Sequence, residues 1–330
     1  MASNTAIEWT DRTWNPVTGC TKISPGCDHC YMFRDYPRLR GMGSRGYETN
    51  PEDVVLHEYR LLEPFHWRKP QKVFVCSMSD LFHPAVPFDF IHRVFVTMAA
   101  NAHLTFQLLT KRPKTMAHFA RTYHPPLWGD RGTTWQNHWP DNVWAGTSME
   151  GPDYRWRLDA LARVAAKVRF VSCEPLLAGV DLAPWMGCQE CHDNPDRDIV
   201  CGCGHIMDPT HGQDSRDLNW VIVGGESGPG ARPMHPQYAR DIRDQCQAAG
   251  VPFFFKQWGE WAPDGSASHF IGMTEGEVGT VTVEFPRSSK SEQTAHAWTD
   301  VNIAENLKRV TKKAAGALLD GREWKEFPAA

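Results

Sequence analysis

The sequence predicts an α/β protein built as a (β/α) barrel, complete or partial, and three observations carry that expectation. Short apolar runs recur along the chain, amphipathic segments separate them, and polar residues follow nearly every run. Runs apolar on both faces suit buried parallel strands, and strand alternating with helix implies right-handed βαβ units. A doubly wound sheet gathers its ligand groups at one switch point, whereas a barrel draws them from every βα loop. Polar residues after each run therefore favour the barrel.

Strands are expected at residues 73–76, 105–109, 143–145, 168–171, 220–223 and 251–255. Helices are expected over 88–102, with Phe88, Ile91, Val94, Phe95 and Met98 on one face, and over 154–166, with Trp156, Leu158, Leu161 and Val164. A third covers 236–249 and closes at Gly250. The chain from 304 to 319 reads as a closing helix before Gly321, 259–284 as loop plus strand, and 123–141 as a long excursion. The expected organisation is one barrel domain over 1–330, a Cys-rich insertion at 184–217 and a C-terminal extension, 259–330, packed on the barrel.

With 330 residues, 41% hydrophobic and 22% charged, the composition is that of a soluble globular protein. The net charge of −4 gives no general pull toward phosphate backbones or anionic membranes, so any nucleic acid would be bound locally. Arg34, Arg38, Arg40 and Arg45, among Tyr31, Phe33, Tyr36 and Tyr47, form the one local basic and aromatic stretch; a solvated helix face accounts for it equally well. No run reaches transmembrane length and the N-terminus lacks a signal-peptide pattern, so a cytoplasmic protein without membrane contact is expected. Ten cysteines in that compartment point to metal or redox chemistry rather than disulfides.

Cys20, Cys27 and Cys30 stand at C-x6-C-x2-C in a loop that Gly19, Pro25 and Gly26 allow to bend. Three thiolates can hold three irons of a [4Fe–4S] cluster and leave the fourth iron open to an exchangeable ligand. The alternative is zinc, with His29 or Cys76 as a distant fourth ligand. A second group, Cys188, Cys191, Cys201 and Cys203, lies in a segment with almost no apolar residues, where a closed tetrahedral zinc site would supply stability. His205 could replace Cys201 or Cys203 there, and a second iron–sulfur cluster is the other reading.

The C-x-x-C-Tyr ending, early in a barrel-like chain, resembles the cluster loop of radical S-adenosylmethionine enzymes, whose usual spacing is C-x3-C-x2-C. Through WTDRTWNPVTGC, VFVCSMSDLFH, FQLLTKRP, SCEPLL, WVIVGGESGPGARPMHP and PFFFKQWGEW the chain is also similar to a phage-associated three-cysteine-motif family of unassigned function. The resemblance implies a barrel of radical S-adenosylmethionine type. It also implies an electron donor and reductive cleavage of the cofactor to a 5′-deoxyadenosyl radical. In that family a polar motif after the second strand takes the cofactor's amino group, a place that Ser77, Ser79 and Asp80 would fill. Ser148 and Glu150 would take ribose hydroxyls, and Lys111 or Arg112 the cofactor carboxylate. Glu174 and Glu226, each directly after an apolar strand, are the candidates for substrate binding or acid–base work, on a nucleic acid or nucleotide substrate. The competing function is a non-enzymatic, zinc-stabilised nucleic-acid-binding module.

Overall fold

Seven parallel strands lie side by side in chain order. They are β1 Arg12–Trp14, β2 Lys72–Val75, β3 Thr105–Thr110, β4 Val143–Ser148, β5 Arg169–Cys173, β6 Trp220–Gly224 and β7 Phe253–Gln257. The computed structural model describes residues 5–123, 134–135, 138–187, 218–263, 280–283, 305–309 and 312–328. The spatial order never reverses, so the sheet has no switch point; it curls into a half-barrel whose first and last strands do not pair. All six expected strands are present. β1 is the additional one, three residues in which only Trp14 is fully buried, too short and polar to read as an apolar run.

Alternate residues of each strand face opposite sides. Val73, Val75, Phe106, Leu108, Val221 and Val223 face outward into the core built with Phe90, Ile91, Val94 and Phe95 of helix α2, Phe88–Ala100, the helix that follows β2. The intervening residues Phe74, Trp144, Phe170, Ile222 and Phe254 line the concave side with Trp9, Trp220 and Phe327. Trp220 centres that cluster, with ring centroids 5.6 Å from Phe170, 5.9 Å from Trp144 and 5.1 Å from Phe327. Such aromatic pairs contribute about 0.5–1.5 kcal/mol each beyond area burial. Gly146 makes room for them, since a Cβ there would lie 2.4 Å from the Phe170 ring. The chain's two ends meet on this cluster: Trp220 Nε1 donates to the Glu326 carbonyl at 2.8 Å, and Lys325 pairs with Glu8.

Helix α1, Tyr31–Gly41, follows the cysteine loop, and α3, Pro113–Thr122, follows β3. Helix α4, Trp156–Leu161, is shorter than the expected 154–166. Beyond its end, Arg169 Nη1 takes the carbonyls of Val164 (3.3 Å) and Ala166 (2.9 Å). Helix α5, Pro236–Ala249, ends as expected, with Gly250 in the left-handed region at φ 68°.

The expected closing helix is corrected. Residues Glu305–Arg309 form a strand between Trp261–Pro263 and Thr280–Val283, and among the described residues of that stretch only Lys312–Ala315, helix α6, is helical. Gly316, at φ 68°, stops that helix, and Leu318–Leu319 then pairs with Arg322–Glu323 around Gly321. The expected metal insertion, with Cys188, Cys191, Cys201 and Cys203, lies outside the described residues. Among the described residues no helix is long and apolar enough to cross a membrane.

Candidate metal centre

The cysteine loop runs from the end of β1 across the C-terminal end of the sheet. It is pinned to the segment after β2. Asn15 Oδ1 accepts from Ser77 Oγ (3.1 Å) and Met78 N (3.0 Å), and Ser79 Oγ donates to the Gly19 carbonyl at 2.6 Å. Gly19 sits at φ 82° with the Asp53 carbonyl 2.0 Å from where a Cβ would be, so both backbone and space require glycine there. A 3-10 turn, Pro25–Cys27, then carries the chain to Cys30, the N-cap of α1.

The three thiols share one neighbourhood, for Cys27 bears electrostatically on both Cys20 and Cys30. Burial pushes the Cys20 thiol up to about 11; the charge of Asp80 adds to this and Arg112 opposes it. Burial likewise raises Cys30. Without metal these two are thiols at neutral pH, and a metal or cluster that takes them must displace their protons. Among the described residues no group of three or more His, Cys, Asp or Glu side chains is arranged to hold a single ion. Of the two alternative zinc ligands, Cys76 is buried just after β2 and His29 packs against Gly230.

Charged residues from the ends of β2 to β4 form one wall of the mouth. Glu150, just after β4, is 1% exposed; it pairs with Lys111 and with Arg157 (2.7 Å) and accepts from Ser24 Oγ of the cysteine loop at 2.7 Å. Burial would raise its carboxyl, but Lys111, Arg157 and Ser24 together hold it below the usual carboxylate range. Gly26 lies directly on Glu150, where a Cβ would come within 2.5 Å of its carboxylate. Asp80 is also spent inside the protein. Its Oδ1 accepts from Thr110 Oγ1 (2.7 Å) and Phe82 N (3.0 Å), and its Oδ2 from Lys111 N (3.1 Å) and Arg112 Nη1 (3.0 Å). The same Arg112 Nη1 donates to Cys20 Sγ at 3.7 Å, while Nη2 donates to the Thr21 carbonyl and Oγ1, each at 3.0 Å. Ser148 is buried at the end of β4, its carbonyl accepting from Arg157 at 2.9 Å.

The opposite wall comes from the ends of β5 to β7. Glu174 Oε1 pairs with Lys256 Nζ at 2.9 Å and Oε2 accepts from Ser172 Oγ at 3.1 Å. Glu226 grips Arg232 with both oxygens, at 2.6 Å and 2.9 Å, and Arg232 reaches back to the cysteine loop, donating to the Pro25 carbonyl at 2.8 Å. The glycine-rich segment after β6 therefore packs on the loop and on α1, with Gly230 against His29 of the loop and Gly228 against Arg34 of the helix.

Sequence reasoning missed Asn15, Ser24, Arg157 and Arg232 as parts of this site. Asn15, Ser24 and Arg232 make their contacts across long chain separations, for which no local motif is a signal, and Arg157 reaches Glu150 from seven residues away through the turn into α4. The donor set suits a cluster: three thiols from one loop, two cations beside them, and glycines where a Cβ would collide with the supporting residues.

Fold and site together define a half-barrel α/β protein with a three-thiol loop across its C-terminal mouth. The chain belongs to the DUF5131 family, described as a protein of unknown function, whose model matches residues 4–328. No curated protein matches the sequence. Among solved structures it is similar to spore photoproduct lyase complexed with dinucleoside spore photoproduct, at 10% identity and a TM-score of 0.37, over 76% of this chain and 65% of that one. It is also similar to a point mutant of that lyase, at 11% identity and a TM-score of 0.38, with the same 76% and 65% covered. A double mutant with bound AdoMet and dinucleoside spore photoproduct follows at 11% and 0.35, again over 76% and 65%. The chain thus spans about 65% of the length of these structures.

Proposed function

We propose that this protein is an enzyme that holds a [4Fe–4S] cluster on Cys20, Cys27 and Cys30 and uses it with S-adenosylmethionine for radical chemistry. The observation that supports this most is the delivery of three thiols by one loop to the mouth of a half-barrel, among convergent charged strand ends. When bound, the cluster and cofactor would supply a one-electron reductive cleavage and hydrogen abstraction, with the electron coming from an external donor.

The chain's own residues hold, orient and screen. Asp80 fixes Arg112, and Arg112 braces Cys20 and Thr21, so this carboxylate positions the loop instead of receiving the cofactor's ammonium. Lys111 has N–H donors beyond the one given to Glu150 and is placed to take the cofactor's carboxylate. Ser77 and Ser79 donate their hydroxyl hydrogens to Asn15 and Gly19 and keep lone pairs for the ammonium. Ser148 serves the ribose, while Glu150 anchors the loop. Glu226 acts through Arg232, which leaves Glu174 as the rim carboxylate on the substrate side. For the insertion we keep structural zinc on Cys188, Cys191, Cys201 and Cys203, on spacing alone.

The test is anaerobic reconstitution followed by incubation with dithionite and S-adenosylmethionine. Release of 5′-deoxyadenosine by the wild type, lost in Cys27→Ala, is expected. Zinc retention with no iron uptake would replace this reading with the zinc-stabilised binding module.

A further inference from the structure

The three thiols of the cysteine loop differ in what reaches them. Cys20 Sγ accepts from Arg112 Nη1 at 3.7 Å. Ser24 Oγ lies 3.8 Å from Cys27 Sγ, but its one hydrogen goes to Glu150, so it has none to give the sulfur. Among the described residues, Cys20 is the one of the three whose sulfur takes a hydrogen from a cationic side chain.

Arg112 is held there from several sides. It follows β3 as the N-cap residue of α3, and its backbone N–H donates to Thr110 Oγ1 at 2.8 Å. The Nη1 that faces Cys20 also donates to Asp80 Oδ2 at 3.0 Å, and the Arg112 and Asp80 side chains are only 9% and 7% exposed. Asp80 is itself fixed by Thr110 Oγ1, Phe82 N and Lys111 N. On the other side Arg112 Nη2 bonds Thr21, whose Oγ1 lies 2.8 Å from His83 Nε2. His83 Nδ1 accepts from Ala85 N at 3.1 Å, so the neutral ring carries its hydrogen on Nε2 and donates to Thr21.

A brace for the loop needs no charge, yet a guanidinium is always ionised. So little exposed, its field at the sulfur is weakly screened. Reduction of a cluster adds one negative charge, shared by the ligand sulfurs, and hydrogen bonds to those sulfurs favour the reduced form. The Asp80 carboxylate shares the same Nη1 donor with Cys20 and acts in the opposite sense.

We propose that Arg112 sets the reduction potential of a cluster on Cys20, Cys27 and Cys30, its guanidinium raising the potential through the Cys20 sulfur while the Asp80 carboxylate opposes it. Arg112 is thus a positioning residue that acts through Cys20. The proposal rests on the cluster reading above and needs neither S-adenosylmethionine nor a substrate.

The experiment is a mediated redox titration of anaerobically reconstituted protein with dithionite, followed by the reduced-cluster electron paramagnetic resonance signal, with iron content and a thermal melt for each variant. One electron passes from dithionite to the cluster, and no bond is made or broken. Arg112→Gln should make reduction about tenfold less favourable, ~59 mV for one electron, and Asp80→Asn should shift it the other way. The double variant should lie between the two, and Arg112→Lys, which keeps the cation, nearer the wild type than Arg112→Gln. A brace alone would lower iron content or melting temperature in both single variants without driving their potentials apart. Where Arg112→Gln takes up no iron, Asp80→Asn and the double variant isolate the same charge, and a potential no lower in the double variant would overturn the proposal. Shifts of both single variants in one direction would overturn it as well. Absence of iron from the wild type would sink the cluster reading and this proposal with it; full iron with unmoved potentials would sink the tuning role alone.

Discussion

Ser24 Oγ donates to Glu150 Oε1 at 2.7 Å, which ties the cysteine loop to the end of the fourth strand across 126 residues of chain. Glu150 is held in turn by Lys111 and Arg157, so the loop rests on a charge triad as well as on the apolar cluster of Met32, Tyr36, Tyr47 and Met78, against which Cys20 and Cys30 pack.

Gly26 is where the loop touches that triad, and it has no room for a side chain. Gly26→Ala would place a methyl 2.5 Å from the Glu150 carboxylate and force the loop outward. The expected cost is about 1–3 kcal/mol of local strain, with iron uptake reduced severalfold and the melting temperature little changed. Iron per chain and a thermal melt check both parts; full iron uptake would show that the loop seats elsewhere.

Asp80→Ala should destabilise the fold. It strands Arg112, whose side chain is 9% exposed, and removes the acceptor for Thr110 and two backbone N–H groups. Breaking such a buried pair costs about 3–5 kcal/mol. Urea unfolding measures it. A wild-type midpoint together with a selective loss of S-adenosylmethionine affinity would return Asp80 to the role of cofactor ligand.

His57 makes the protein sensitive to mild acid. Thr18 Oγ1 donates its one hydrogen to the Gly46 carbonyl at 2.8 Å, so His57 Nε2, 2.8 Å away, is the donor to Thr18. Burial, reinforced by Arg60, lowers its pKa from 6.5 to about 4. A depressed histidine leaves the unfolded chain binding more protons between those values. The neutral ring's contribution is therefore whole above pH 6.5 and fades as the pH falls toward 4. A loss of about 1–3 kcal/mol is expected across that window, and His57→Gln should flatten it in urea titrations at pH 7 and pH 5. An equal slope in the two proteins would clear His57.

The C-terminal segment should be integral to the barrel. Removing residues 324–330 deprives Phe255 N and Trp220 Nε1 of their acceptors at Trp324 and Glu326, both at 2.8 Å, and takes Phe327 from the Trp220 cluster. Two buried donors left unpaired cost about 1–3 kcal/mol each. The truncated chain should lose its cooperative melt at a temperature where the full chain is folded; an unchanged melt would make the segment dispensable.

Most of the sheet was legible in the sequence, because Val73, Phe106, Val143, Val171, Val221 and Phe253 lie in runs buried on both faces, which periodicity detects. β1 was not, since Arg12 and Thr13 are held by pairing to Val73 and Phe74 rather than by their own hydrophobicity. The 304–319 stretch misled for the opposite reason: its helix-forming composition is overridden by pairing of Glu305–Arg309 with two other strands. In the site, the cysteines and the carboxylates after strands could be named from spacing. What each carboxylate does could not. Asp80 looks like a free acceptor until Thr110, Lys111 and Arg112 are folded around it, and Glu226 looks like a substrate residue until Arg232 closes on it.

The central claim is that Cys20, Cys27 and Cys30 act as one ligand set. Its most direct test is iron content with the electron paramagnetic resonance signal of anaerobically reconstituted, dithionite-reduced protein, for the wild type and each single Cys→Ala variant. The account predicts about four irons per chain and a reduced-cluster signal in the wild type, with both lost in all three variants while each stays folded. Full iron and an unaltered signal in any one variant would contradict it.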